Sequence, residues 1–509
     1  MLMHMLLQVD SNGRLMVLRD PVSLFDGSLA MEHAQALQHQ VELAGSLNDV
    51  VRLEHTEHAP CIVLQHNSGS DYSLKHNKIN AGIRRYENYS AADMQSRWKS
   101  ARLRVSQRLN DERLYLVHCI DHMMLSWRRV DEALKPLGAA YPAIRNDEHL
   151  IEHSGFELSE WTLRALEVAA CRALYALWLD VGSVLVAVSG TGSMAIRGVW
   201  SIAKQQLPID RELLSEAITA WLKRWKREAD AVDHNERNER IQLGADPEFI
   251  LVNEQQRVVS ATEYLLESDS MYVGIDALWY RNKLIHPIVE LRPPPETDPN
   301  RLFASLYRLL KETATVITDK RLRWLAGGMP VRGIALGGHL HISGVQLTPR
   351  VLRILDAALA IPFAAAADQN GAGRLRKFGG LGDYRRQFHG GFEYRTLPSW
   401  LVSPALTKAA IACCYIAVLN NKELAIQLKS ADWLDDAYAG EDREQLHAKA
   451  LDMLQLLSKL ASNTPEYKLE KAIAPLQLAI RQRKTWNEQD DIRKRWSLLE
   501  AGEIDKAYT

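Results

Sequence analysis

Four short segments could do chemistry together: Asp246-Pro247-Glu248, Glu290-Leu291-Arg292, His339-Leu340-His341 and Glu393-Tyr394-Arg395. Each places two reactive or charged side chains one residue apart. In an extended strand alternate side chains point to the same face, so each pair would stand on one surface. Gathered in one sheet, the pairs would put three glutamates, an aspartate, two histidines and two arginines on a single face. That face is too charged for a core, where unpaired ions are costly. It suits divalent cations and phosphate instead. Magnesium takes carboxylate, water and phosphate oxygens, and imidazole can join or support the shell. Arginine supplies a planar, permanently charged fork for phosphate or carboxylate. Metals and arginines together could neutralise a nucleotide's phosphates while a γ-phosphoryl group moves to a carboxylate.

Taken singly, each pair has a plain structural explanation. Asp-Pro-Glu is commonly a turn or a solvated edge, and Glu-x-Arg is commonly a cross-strand ion pair. His-x-His is more telling, because Gly337-Gly338 ahead of it would let a ligand or strand come close. Four pairs in order between Asp246 and Arg395 point to one shared site.

The elements that must position these residues are short β-like runs. Phe249-Ile250-Leu251-Val252 follows the first pair, Ile288-Val289 precedes the second, and Ile334-Ala335-Leu336 precedes the third. Two helical patterns, Pro299–Val316 and Pro349–Ala367, alternate with them. Ahead of this region the chain opens with a hairpin, Leu6–Val9 and Leu15–Leu18 around Ser11-Asn12-Gly13. The spacing then predicts helix from Asp93 to Leu134 and from Leu158 to Leu179, the latter started by Ser159-Glu160-Trp161. Val184–Val188 is a short apolar run, and a further helix is expected from Asp210 to about Ala231. The polar stretch His234–Arg240 reads as a join. After Pro404 the chain is mostly helical, with Pro465 and Pro475 as interruptions. The expected division is an N-terminal α+β region over 1–235, a core over 241–425, and a helical extension packed on the core over 426–509.

At these residues the chain resembles the phage-type carboxylate–amine ligases, or amidoligases, of the glutamine synthetase and glutamate–cysteine ligase fold. The matching segments are Gly244–Phe249, Val289–Pro293, Gly337–His341 and Phe392–Arg395, together with Arg374–Arg385, which contains Phe378-Gly379-Gly380 and Gly382-Asp383-Tyr384-Arg385. The resemblance covers about residues 241 to 420. It implies an α+β fold, an antiparallel sheet of that type with packed helices, and the chain's own pattern sets beside it a mostly helical N-terminal region containing some strands. The resemblance implies ATP and Mg2+ on the acidic face, with Asp246, Glu248, Glu290, His339 and Glu393 as metal ligands. His341 would support the shell from behind. Arg292 and Arg395, with Glu393, would serve catalysis, Arg395 meeting the carboxylate substrate. Arg374, Arg376 and Arg385 would contact the nucleotide. The implied reaction is ATP-dependent amide (peptide or isopeptide) bond formation through an acyl phosphate, with small-molecule or peptide carboxylates and amines as substrates. Asp246 departs from the two glutamates that open the glutamine synthetase pattern, and retracts its oxygens by about one methylene. The same fold supports guanidino kinases, and a non-catalytic assembly protein retaining the sheet is a further alternative.

Composition excludes several other classes. Hydrophobic residues make up 47% and charged residues 25%, with 62 Lys+Arg against 63 Asp+Glu. That balance is ordinary for a soluble protein and gives no footprint for nucleic acid or an anionic membrane. No apolar stretch reaches the ~18 residues of a membrane span. The start lacks a basic n-region and cleavage site, so a cytoplasmic protein is expected, and a homo-oligomer stays open. Cys61, Cys119, Cys171, Cys413 and Cys414 form no C-x-x-C pair and read as free, buried thiols. Ser189-Gly190-Thr191-Gly192-Ser193 lacks the lysine and spacing of a phosphate loop and reads as a turn. His55, His58 and His66 near Cys61 lack zinc spacing, and Trp221 and Trp225 fit a packing helix.

Overall fold

The computed structural model describes residues 86–142, 158–200 and 241–499, apart from short breaks, and, before residue 67, the backbone of four strands. The chain divides into two units, Met1–Arg227 and Glu228–Thr509.

In the first unit β1 (Leu6–Val9) and β2 (Leu15–Leu18) pair as the expected antiparallel hairpin, and β3 (Asp49–Thr56) pairs with β4 (Ala59–His66). Helix α1 (Ala91–Ser100) is opened by a capping box in which Ser90 and Asp93 satisfy each other's backbone N–H groups. Five antiparallel strands follow: β5 (Arg113–Ile120), β6 (Met123–Val130), β7 (Pro136–Pro142), β8 (Val181–Val188) and β9 (Met194–Trp200). Their order is β7-β6-β5-β8-β9. Helix α2 (Glu160–Ala176), capped by Ser159 as expected, buries Leu166, Ala170 and Leu174 among Tyr115, Val117, Val184 and Val186.

The helix expected from Asp93 to Leu134 is therefore corrected to one short helix and a hairpin. Arg102 enters the left-handed region and turns the chain away from α1. Leu114-Tyr115-Leu116-Val117 is then apolar on both sides because both faces of β5 are buried. A run of that kind satisfies helical spacing as readily as strand spacing. The helix expected over Asp210–Ala231 and the side chains of His55, His58, Cys61 and His66 lie outside the described residues.

The second unit is built on a sheet of eight strands among the described residues, ordered β12-β13-β10-β15-β17-β16. Its members are β10 (Gln242–Val252), β11 (Val258–Val259), β12 (Val273–Tyr280), β13 (Lys283–Leu291), β14 (Arg323–Leu325), β15 (Gly338–Ser343), β16 (Tyr384–Arg386) and β17 (Phe392–Tyr394), with β11 and β14 pairing to β10. All these pairings are antiparallel. The fold class is thus α+β with an antiparallel sheet, as expected. One sheet face is largely apolar: Leu243, Phe249, Leu251, Val289, Leu340, Ile342 and Phe392 are all buried. Helix α3 (Pro299–Val316) packs against β10 and β13. Asp298 caps it, Pro299 opens it, and Leu302, Leu306, Leu309 and Leu310 form its buried stripe. The opposite face is apolar at one end, where Ile250 and Ile288 meet Leu325, Ile334 and Leu336. At its other end it is polar.

Helices α4 (Pro349–Leu355) and α5 (Ile361–Ala366) are joined by one π-helical turn, Asp356–Ala360. Then come α6 (Pro404–Leu419), α7 (Asn421–Gln427), α8 (Trp433–Ala439), α9 (Arg443–Ala461), α10 (Leu469–Arg481) and α11 (Ile492–Arg495). Pro475 sits inside α10 rather than interrupting it. Burial of Leu469, Ile473, Leu476 and Ile480 along one stripe outweighs its missing hydrogen bond. No described helix is long and apolar enough to cross a membrane.

Candidate metal and phosphoryl-transfer site

Strand register brings the four pairs together. Asp246 lies opposite His339 and Gly244 opposite His341, while Glu248 lies opposite Glu290. His341 in turn faces Glu393, and Glu393 faces Arg385. Strand β10 pairs with β15 along one edge through Pro247 and with β13 along its other edge from Glu248 onward, so Pro247, which has no N–H, stands just ahead of the β13 pairing.

The carboxylates fall into two groups, Asp246 with His341 and Glu393, and Glu248 with Asp276 and Glu290. In each group the donor atoms lie within 4.8 Å of one another. His339 joins the first group: its Nδ1 is 3.2 Å from Asp246 Oδ1 and 3.1 Å from Glu393 Oε1. His341 Nε2 is 3.1 Å from Asp246 Oδ2. Yet Asp246 Oδ1, His339 Nδ1, His341 Nε2 and Glu393 Oε1 are all buried and none has a well-aligned hydrogen bond. Buried polar atoms that crowd to 3.1–3.2 Å of one another with no well-aligned hydrogen bond fit a cation that satisfies them jointly. The oxygen and imidazole donor set fits magnesium or manganese.

Charge in the site is arranged unevenly. Burial would raise the Asp246 carboxyl, but His339 and His341 outweigh it and hold the group well below the usual carboxylate range. Burial likewise works against protonating both imidazoles, and Asp246 reverses it, so both are raised. Burial pushes Glu248 up to about 7 despite His339 and the Gly337 N–H that donates to its Oε2 at 2.6 Å. Burial, then Asp246, pushes Glu290 up to about 8, against the pull of Arg292. Two carboxyls that resist ionisation mark a place where positive charge is wanted.

The arginines divide by role. Arg292 Nε donates to Glu290 Oε2 at 2.6 Å, and its Nη2 is 3.7 Å from Asp276 Oδ1. Arg395 Nε is 3.3 Å from Glu393 Oε1 and Arg385 Nη1 is 3.2 Å from Glu393 Oε2, so both flank that carboxylate. Arg374 needs correction. Its guanidinium is buried and donates to the carbonyls of Leu336 and Thr396 at 2.8 Å and of Arg395 at 3.4 Å. With its donors directed at backbone it ties loops together rather than meeting a nucleotide. The Arg376 side chain lies outside the described residues.

Sequence reasoning missed Asp276 and gave His341 a supporting part, whereas His341 stands with the ligand-distance atoms. Asp276 carried a faint signal. It shares the one-residue spacing with Gly274, and glycine offers no side chain to notice. That glycine has a use: a Cβ there would collide with the Arg292 guanidinium, so the gap lets Arg292 lie across β12 to reach Glu290. The Ser189–Ser193 segment is a turn between β8 and β9, closed by Ser189 N–H donating to Ser193 O at 2.9 Å, with Gly192 in the left-handed region. Cys119, Cys171, Cys413 and Cys414 are free and buried.

A family model described as phage phiEco32-like COOH.NH2 ligase-type 2 matches residues 243–498. No curated protein matches the chain. Among solved structures, a bifunctional glutathione synthetase from Pasteurella multocida is similar at TM-score 0.33 and 9% identity, over 55% of this chain and 50% of that one. The match thus spans half the length of that synthetase. A glutamine synthase homolog is similar at TM-score 0.28 and 14% identity, over 60% and 80% of the two chains. GmaS in an ADP complex is similar at TM-score 0.29 and 14% identity, over 72% and 92%.

Proposed function

This chain belongs to the phage phiEco32-like COOH.NH2 ligase family, type 2, and from that premise we propose that it is an ATP-dependent ligase joining a carboxylate to an amine through an acyl phosphate. The observation that carries the reading is the pair of converging groups on one sheet face. Asp246, His339, His341 and Glu393 would hold one magnesium, and Glu248, Asp276 and Glu290 the other. Bound there, the ions supply positive charge for the phosphates of ATP.

The chain's own residues do the rest. Arg385 and Arg395, beside Glu393, bind and orient phosphate or substrate carboxylate through their forks. Arg292, held by Glu290, presents charge on the β12–β13 side. A substrate carboxylate oxygen attacks the γ-phosphorus and ADP leaves. The amine then attacks the acyl carbon, phosphate departs with that oxygen, and the amine gives up a proton to form the amide. Positioning and electrostatics account for most of such a transfer.

The test is a screen of carboxylates crossed with amines, followed by ADP release and by mass spectrometry of the product. ADP formation that needs both substrates and yields their condensation product is expected. ADP formation with a phosphorylated product and no need for the second substrate would instead make the protein a phosphotransferase.

A further inference from the structure

The segment after α10 lies as a strap across other loops of the second unit. Trp486 N–H donates to Ala366 O at 3.1 Å, Arg323 Nη1 to Gln489 O at 3.1 Å, and Gln489 Nε2 to Pro330 O at 2.7 Å. At its centre Glu488 is buried, 2% exposed, in a cradle of three glycines. A Cβ on Gly327 would lie 2.5 Å from Glu488 Cγ, one on Gly371 would collide with Oε1, and one on Gly328 would lie 3.1 Å from it. The carboxylate accepts from the N–H of Gly328 and, at 2.8 Å, from that of Met329. Its own N–H donates to Asp368 Oδ2 at 3.0 Å. A buried carboxylate held by two backbone N–H groups of the Gly327–Met329 loop, and packed on Gly371 of the other loop, is expensive to remove, since the first loop keeps its donors and loses their acceptor.

Both loops lead to the sheet face. Leu336 N–H donates to Gly328 O at 2.9 Å, and Gly337 N–H to Glu248 Oε2 at 2.6 Å. Gly327 O accepts from Ser399 N–H at 3.0 Å, while Ser399 Oγ donates to Glu248 O at 2.5 Å. From the other loop Arg374 reaches Leu336 O at 2.8 Å. The routes through Gly337 and Ser399 thus end at Glu248, while a further one runs from Arg374 to the carbonyls of Thr396 and Arg395; none of these bonds is made by Asp246, His341 or Glu393 themselves.

We infer that Glu488 is a positioning residue: it holds the Gly327–Met329 and Asp368–Arg374 loops so that Gly337 and Ser399 fix Glu248 in the Glu248–Asp276–Glu290 group. This rests on the two-group metal reading above.

The test is Mn2+ titration of the full chain, followed by electron paramagnetic resonance, for the wild type, Glu488→Gln, Glu488→Asp, Glu248→Gln and Trp496→Phe. The last loses a strap-region bond to Leu401 O and controls for general loosening. Two Mn2+ per wild-type chain are expected, with one site weakened ~10-fold or more in Glu488→Gln. The same site should be lost in Glu248→Gln, kept in Trp496→Phe, and partly restored in Glu488→Asp. Equal weakening of both sites in Glu488→Gln, or of neither, would overturn the positioning role while leaving the metal reading intact. No Mn2+ on the wild type would overturn the metal reading and this inference with it.

Discussion

At the scale of single residues the site depends on buried carboxylates gathered on one sheet face. Glu248 and Glu393 belong to different groups, so Glu248→Gln and Glu393→Gln should each reduce ATP turnover by ~10²-fold or more. The fold should survive, because glutamine keeps the volume and removes a buried charge, and circular dichroism with a thermal melt checks that. ADP release unchanged in either variant would sink the metal face. Arg395 is different: it flanks Glu393 and is only partly buried. Arg395→Ala should raise the KM for the carboxylate by ~10-fold or more with a smaller change for ATP, as loss of one charge-assisted contact does. An equal rise for both substrates would move Arg395 to the nucleotide side.

At the scale of elements the polar pairs work because antiparallel register lines them up, and Gly338 lets the 398–400 segment close on that register. A Cβ there would lie 2.6 Å from Pro398 O and 2.7 Å from Trp400 Nε1, whose indole donates to Gly338 O at 2.9 Å. Gly338→Ala should cost ~1–3 kcal/mol as overpacking, plus that bond, visible as a shift of the urea midpoint. An unchanged midpoint would mean the 398–400 segment yields freely. Legibility from sequence also divides by element. Strands whose polar side chains share a face announced themselves, and so did α3, with its cap, opening proline and apolar stripe. Strands β5 and β6 did not, because burial on both faces erases the alternation that marks a strand. Asp276 stayed hidden because its partner across one residue is a glycine, and Arg374 misled because a buried arginine bonded to carbonyls looks, in sequence, like one bonded to phosphate. The strap around Glu488 was illegible, since its contacts join residues some 160 positions apart.

At the scale of the whole molecule, the site opposes stability when no metal is bound. Glu248 and Glu290 have folded values of about 7 and about 8 against an ordinary 4.5. Between those values the unfolded chain has released protons that the folded chain keeps, so stability falls as pH rises. The raised imidazoles of His339 and His341 act in the same direction, their contribution being lost as pH rises through their folded values. Asp246, held low, is ionised throughout this range and adds no slope. Each tenfold difference in proton affinity between the folded and unfolded chain is worth ~1.4 kcal/mol. The metal-free protein should therefore lose on the order of a few kcal/mol from about pH 5 to about pH 8. Magnesium should raise Tm, more at about pH 8 than at about pH 6, and a chelator should reverse it. A Tm that climbs with pH without metal would contradict this arrangement of charge.

The central claim is that this face phosphorylates a carboxylate before an amine displaces the phosphate. Its most direct test uses a carboxylate substrate labelled with 18O in both oxygens, with Mg2+, ATP and the amine. Mass spectrometry of the released inorganic phosphate should find one 18O atom in each phosphate formed with the amide. Amide formation with phosphate free of label would contradict the acyl phosphate route.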